Sequence, residues 1–278
     1  VSAATVGTRP TITVVLVRFL RDRQRSTVWW IAGVTGLVVF TVAFWPTVRG
    51  QSSFDDMIAE LPEAMRAMFG FDDAVSLGSP AGYLQGRMFA TMLPLVLVSC
   101  GIGLGARAIA GSESDGTLQS ILVAPVERGD LYTARLAAAL VLLTAPAVAA
   151  AVLVLVVSPP FGLLDGVSMA GFAAALLGAW ALAALHCCLA LAVGAATGRR
   201  EVAVAVAGGV AVTTYLLQGL LAAAAAPAVV RNLIPWYWYL ERNMLATGPA
   251  WRAVFLPVAV GAVLVAAGRI VFVRRDLR

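Results

Sequence analysis

Lysine is absent from all 278 residues, and the 20 basic side chains are arginines. A P-loop needs its lysine to reach the phosphates of a nucleotide, so no ATPase of that kind is encoded in this sequence. There is 1 histidine, His186, which excludes HExxH and multi-histidine metal sites. The 3 cysteines, Cys100, Cys187 and Cys188, all fall within apolar runs. Adjacent Cys187 and Cys188 point to different helix faces, so neither a disulfide framework nor a CxxC metal site is implied. Charge of either sign is scarce, at 13% of residues against 60% hydrophobic, and the mean hydropathy is +0.89. That is the composition of a membrane protein.

The few charges leave uncharged runs at 26–48, 88–106, 136–164, 166–198, 202–230 and 253–268. Crossing a hydrocarbon core of roughly 30 Å takes about 20 helical residues. The expected fold is therefore an all-α integral membrane protein, a single domain over 1–278. Six transmembrane helices are expected at about 28–48, 84–106, 132–157, 169–196, 203–226 and 251–273. The last run is 16 residues long, but Arg252 and Arg269 flank it and can snorkel to the headgroups. The first run carries Trp29 and Trp30 and no small-residue cleavage motif, so it is expected to remain in the mature chain.

Orientation follows from the arginines. With six spans, Arg9, 18, 21, 23, 25, 107, 128, 135, 199, 200, 269, 274, 275 and 278 fall on the side of the termini, and Arg49, 66, 87, 231, 242 and 252 on the other. The positive-inside rule then predicts that both termini are cytoplasmic. The net charge of +5 is an asymmetry across a bilayer and gives no argument for nucleic acid. Lysine-free, arginine- and alanine-rich usage suggests a high-G+C bacterium, hence a bacterial cytoplasmic membrane.

Residues 10–25, "PTITVVLVRFLRDRQR", place Ile12, Val15, Leu16 and Phe19 on one helical face, with Arg18, Arg21 and Arg25 roughly opposite. This suits a helix lying in the membrane interface; positive-inside charges before a first span suit it equally. The external 49–82 loop sets Met57, Leu61, Met65, Met68 and Phe69 against Asp55, Asp56, Glu60 and Glu63, which predicts surface helices resting on the bilayer. In the segment between spans 5 and 6, Trp236, Tyr237, Trp238 and Tyr239 suit the headgroup belt. The alternative is a re-entrant, cap-like helix covered by protein. Glycines four residues apart, Gly82/Gly86, Gly101/Gly105 and Gly194/Gly198, permit close helix approach.

Candidate chemistry inside the spans is sparse. Ser99 in "VSCGIG" and His186 are the two groups that could make an intramembrane Ser/His hydrolase, but no GxSxG context surrounds the serine. An interhelical hydrogen bond is the ordinary role for such a histidine. Ion-coupled transporters place ionisable groups within their spans, and apart from His186 the uncharged runs have none. The energy that drives this protein is thus expected to come from another chain; an ATPase-independent transporter or channel is the alternative.

Between spans 2 and 3 the chain reads "ESDGTLQSILVAPVERGDLYTARL". Glu113 and Asp115 precede Gly116, then Leu118, Ile121 and Leu122 fall at i, i+3 and i+4. Carboxylates ahead of a helix complement its dipole. Pro125 stops that helix, and the chain restarts at Gly129. The product is a short amphipathic element that fits either a partner's groove or the bilayer surface.

This order resembles the ABC-2 family of transporter permeases, whose second and third spans are joined by an E…GT-L…L…P-V-x-R loop. Here the matching residues are Glu113, Gly116, Thr117, Leu118, Leu122, Pro125, Val126 and Arg128. The resemblance extends over a basic helix before span 1, an acidic outer segment leading to "GYLQGRMFATMLPLVL", six spans and a final "FVRRDL", closest to bacterial antibiotic and drug exporters. Where many members carry two adjacent acids, this chain has "SESD", and Arg135 stands where lysine is common. Both changes keep the charge.

The resemblance implies a 107–130 cytoplasmic coupling loop in contact with a separate ATPase subunit, through Glu113, Asp115, Gly116, Thr117, Leu118, Ile121, Leu122, Pro125 and Arg128, with Arg21 of the interfacial helix. It implies no cofactor on this chain, with ATP and magnesium on the ATPase. A second permease copy or paralogue would complete the machine in the lipid bilayer. A small hydrophobic or amphipathic substrate would pass along the seam, with Met92, Tyr215 and Gln218 as path residues.

Overall fold

The computed structural model of the chain describes residues 12–51, 60–62, 65–66, 76–114, 116 and 127–275. Among them there is no strand, and six helices are long and apolar enough to cross a membrane. Helix α1 is Ile12–Val48 and α2 is Pro80–Ser114. Next come α3, Arg128–Val157, α4, Met169–Thr197, and α5, Arg200–Ala223. Three short helices follow, α6 (Ala228–Arg231), α7 (Pro235–Leu240) and α8 (Met244–Thr247), and then α9, Arg252–Arg274.

The 37 residues of α1 span about 56 Å at 1.5 Å per residue. The expected interfacial segment therefore runs straight into the first span. The surface helices expected within the external 49–82 loop fall mostly outside the described residues.

Helices α2 and α4 are the interior. In their most apolar stretches 72% and 67% of residues are buried, against 17–33% in the other four spans. Two glycines let them meet: a Cβ added at Gly101 would lie 2.6 Å from the Ala183 carbonyl oxygen, and one at Gly105 2.2 Å from that of Cys187. No other residue type allows backbones so close. Helix α1 packs chiefly on α3, and α9 chiefly on α4. The outer faces of α1, α3, α5 and α9 carry exposed valine, leucine and phenylalanine, as a lipid-facing surface requires.

Helix α2 is interrupted. Gln85–Phe89 and Arg107–Gly111 are π-helical, and the Ala90 amide reaches back to the Gln85 carbonyl at 2.7 Å. Segments of this kind lie where a helix carries an extra residue, often near functional sites.

Candidate functional site

Six alternating spans put the end of α2, the start of α3, the α4–α5 turn and the end of α9 at one end of the bundle. Helix α2 continues past its expected end, so Glu113 sits in its last turn. The Glu113 carboxylate accepts from the guanidinium of Arg275, the residue just after α9. Through Nη1 the same guanidinium donates to the Ala195 carbonyl of α4 at 2.9 Å. The Arg275 carbonyl in turn accepts from Nη1 of Arg128, the first residue of α3, at 2.6 Å.

One residue thus joins the ends of α2, α3, α4 and α9, and it holds both stems of the 115–127 loop. The Arg275 and Glu113 side chains are only 18% and 22% exposed, so their attraction is less screened than that of a surface pair.

Glycine shapes this joint. Gly198 ends α4 at φ +70° with its amide on the Gly194 carbonyl at 2.9 Å, a left-handed cap that favours glycine. A Cβ there would also stand 2.6 Å from Glu113 Oε1. Gly116, at φ +67°, turns the chain after α2 and donates to the Glu113 carbonyl at 3.1 Å.

Of the residues expected to meet an ATPase, Asp115, Thr117, Leu118, Ile121, Leu122 and Pro125 lie outside the described residues. Glu113 and Arg128 meet at Arg275, and Gly116 follows directly. Arg21 is exposed on α1, and among the described residues no bond joins it to them. Arg275 itself was not legible: Arg274 and Arg275 read alike as basic anchors after a span. Only the structure turns Arg275 inward and leaves Arg274 exposed.

A second joint ties α1 to α3. The Phe19 ring is buried, with the Arg135 guanidinium 4.9 Å and that of Arg23 5.8 Å from its centre. Such stacking is favourable for a desolvated guanidinium. Arg135, which stands where lysine is common in the family it resembles, is 8% exposed and makes an internal contact.

At the opposite end the headgroup-belt reading of the aromatic segment is corrected. Trp236, Trp238 and Tyr239 are buried. Trp236 Nε1 donates to the Ala211 carbonyl of α5 at 3.2 Å, and Trp238 Nε1 to the Asn232 carbonyl at 2.6 Å. The Tyr239 hydroxyl donates to the Phe89 carbonyl at 2.7 Å, beside the break in α2, and burial pushes its pKa up. A short helix that carries indole and phenol donors can enter the bundle because those donors find backbone carbonyls there. This is the inward packing that the cap-like alternative requires, and Arg252 at the start of α9 pairs with Glu241, just after α7, at 2.9 Å.

Among the path candidates, Tyr215 and Gln218 lie one turn apart on α5. The Tyr215 ring packs edge-on to Trp236 at 4.9 Å, Gln218 is buried, and Met92 is exposed just beyond the break in α2.

The hydrolase arrangement does not form. His186 Nδ1 pairs with the Leu182 carbonyl of its own helix at 2.8 Å, so its bond is within the helix rather than between helices. Ser99 faces outward on α2.

The chain is similar to one known family over nearly its whole length: the model described as ABC-2 family transporter protein matches residues 15–277. No curated protein matches the chain.

Proposed function

The chain belongs to the ABC-2 transporter family, and on that premise we propose that it is the permease subunit of an ATP-driven exporter in the bacterial cytoplasmic membrane. The family assigns it to the membrane component of an ABC transporter, which works with an ABC ATPase. In this reading both termini are cytoplasmic. The ATPase, carrying ATP and magnesium, receives the 115–127 loop in a groove that takes Leu118, Ile121 and Leu122. A second copy or paralogue completes the seam, and a hydrophobic or amphipathic compound passes outward along Met92, Tyr215 and Gln218.

The observation that carries the reading is the joint at Arg275. A docking loop can do mechanical work only if its stems are fixed to the spans that must move. Glu113 and Arg128 are both bonded to Arg275, and Arg275 to α4. Force applied to the loop therefore reaches four spans at once. ATP shifts the balance between inward and outward states by its differential affinity for them.

The test is co-purification with a P-loop ATPase encoded beside this chain, then transport in proteoliposomes. Leu118→Asp with Leu122→Asp abolishes co-purification while membrane insertion is retained. Flux that is equal with and without the ATPase and ATP refutes the proposal.

A further inference from the structure

Where the last turns of α9 meet the first turn of α3, the surface opens into a pocket of about 460 Å³. Arg128, Arg269 and Arg274 line it, Glu127 is the one carboxylate among its described lining residues, and Ile270 and Val273 form an apolar wall. Arg128 is held by its bond to the Arg275 carbonyl. Arg269 and Arg274 make no hydrogen bond or ion pair among the described residues.

Arg269 is nevertheless placed. A Cβ added at Gly129 would stand 2.6 Å from its Nη2, so its guanidinium rests on bare backbone of α3. Three arginines gather there with two carboxylates, Glu127 and the first-turn Asp130, nearby among the described residues; Arg128 lies at the positive end of the α3 dipole, and Arg274, in the last turn of α9, at the negative end of its own. Among the described residues the cations outnumber the carboxylates by one.

The membrane supplies a counter-charge of matching shape. The 23 residues of α9 extend about 34 Å across a hydrocarbon core of roughly 30 Å, so its final turns sit at the headgroup boundary. Ile270 is 53% and Val273 46% exposed, facing lipid on the same side as the arginines. We propose that this pocket binds the phosphate of an anionic phospholipid, with Arg269 and Arg274 on the phosphate oxygens and the acyl chains against Ile270 and Val273. A free phosphate would use the cations but leave the apolar wall idle. A zwitterionic headgroup brings its own cation and gains less from the cluster. Basic pockets between spans are common headgroup sites.

Arg128 belongs both to this pocket and to the joint at Arg275, so the bound lipid sits on a stem of the 115–127 loop. The inference is independent of any ATPase partner and of which face of the bilayer this end meets.

The experiment is native mass spectrometry of the chain alone, purified in micelles containing equal phosphatidylglycerol and phosphatidylcholine of the same acyl chains. Wild type retains phosphatidylglycerol in preference. Arg269→Gln with Arg274→Gln lowers that preference about tenfold, whereas Arg269→Lys with Arg274→Lys keeps most of it. Arg199→Gln with Arg200→Gln, at the same end but outside the pocket, changes it less than about twofold. Equal retention of the two lipids, or an equal loss in the two glutamine double variants, overturns the proposal. Displacement of phosphatidylglycerol by millimolar inorganic phosphate overturns the lipid assignment.

Discussion

Removing either member of the Glu113–Arg275 pair leaves its partner charged in a site where both side chains are about four-fifths buried. A hydrogen bond to a charged group contributes about 1.5–3 kcal/mol, and an unpaired buried charge costs more. Partial exposure places this pair toward the lower end, so Glu113→Ala is expected to cost about 2 kcal/mol. Arg275→Ala also removes the donor to the Ala195 carbonyl at 2.9 Å and is expected to cost about 3 kcal/mol. The double variant lacks the stranded charge, so the two losses fall short of additive by about 1–2 kcal/mol. The assay is reversible unfolding of the purified chain in mixed micelles, read as a double-mutant cycle. Additivity to within about 0.5 kcal/mol would mean that the pair is a surface contact without energetic weight, and would refute force transmission through Arg275. A second readout separates coupling from stability: each single variant still co-purifies with the ATPase, since Leu118, Ile121 and Leu122 are unchanged, but ATP-driven transport is lost.

Gly198→Ala forces a Cβ into a left-handed position and onto Glu113; the expected loss is about 2 kcal/mol or more, and the variant weakens the Glu113–Arg275 coupling energy in the same cycle. Gly105→Val separates α2 from α4, because its Cβ would stand 2.2 Å from the Cys187 oxygen; loss of the folded, monodisperse species in size-exclusion chromatography is expected. Tyr239→Phe leaves the Phe89 carbonyl without its 2.7 Å donor and costs about 1–3 kcal/mol. The same residue gives a pH dependence: its hydroxyl is held above the ordinary value of 10.0 by burial. The unfolded chain therefore releases this proton first, and the contribution, fully present below about pH 10, is lost as pH rises further. Unfolding midpoints between pH 8 and pH 11 fall less steeply in Tyr239→Phe than in wild type.

The helical class and the six spans were legible because hydropathy and the scarcity of charge act on every residue of a long apolar run. What each arginine does was not. Arg274 and Arg275 are neighbours of the same type, and the positive-inside rule treats them alike. Which one turns toward Glu113 depends on where α2 ends in three dimensions, and a π-helical segment just before its last turn shifts its register. The aromatic run failed for a related reason. Four consecutive rings fit an interfacial belt by composition. Whether they enter the bundle depends on carbonyls at Ala211 and Phe89 that can take a further donor, and the Phe89 carbonyl lies beside a helix break that no periodicity announces. Phe19 shows the same limit: its place on the apolar face was evident, but the two arginines stacked on its ring come one from its own helix and one from α3.

These misreadings converge on α2. Its middle is fixed to α4 by Gly101 and Gly105, while each end is offset by a π-helical segment and held by a distant side chain: Tyr239 on the Phe89 carbonyl at one end, Arg275 on Glu113 at the other. A helix clamped at its centre transmits a displacement between its ends only if the offsets do not absorb it. Each π segment is five residues long, a single loosened turn, and the close backbone contact lies between them. Pressure on Glu113 is therefore expected to rotate α2 and α4 together rather than to unwind α2. Hydrogen exchange discriminates the two. With the ATPase and ATP bound, amides of 98–106 stay as protected as in the isolated chain, and the change concentrates at 85–91 and 107–114. Exchange that rises through 98–106 as well would mean that α2 melts under load, and that the cap and the loop are not mechanically joined.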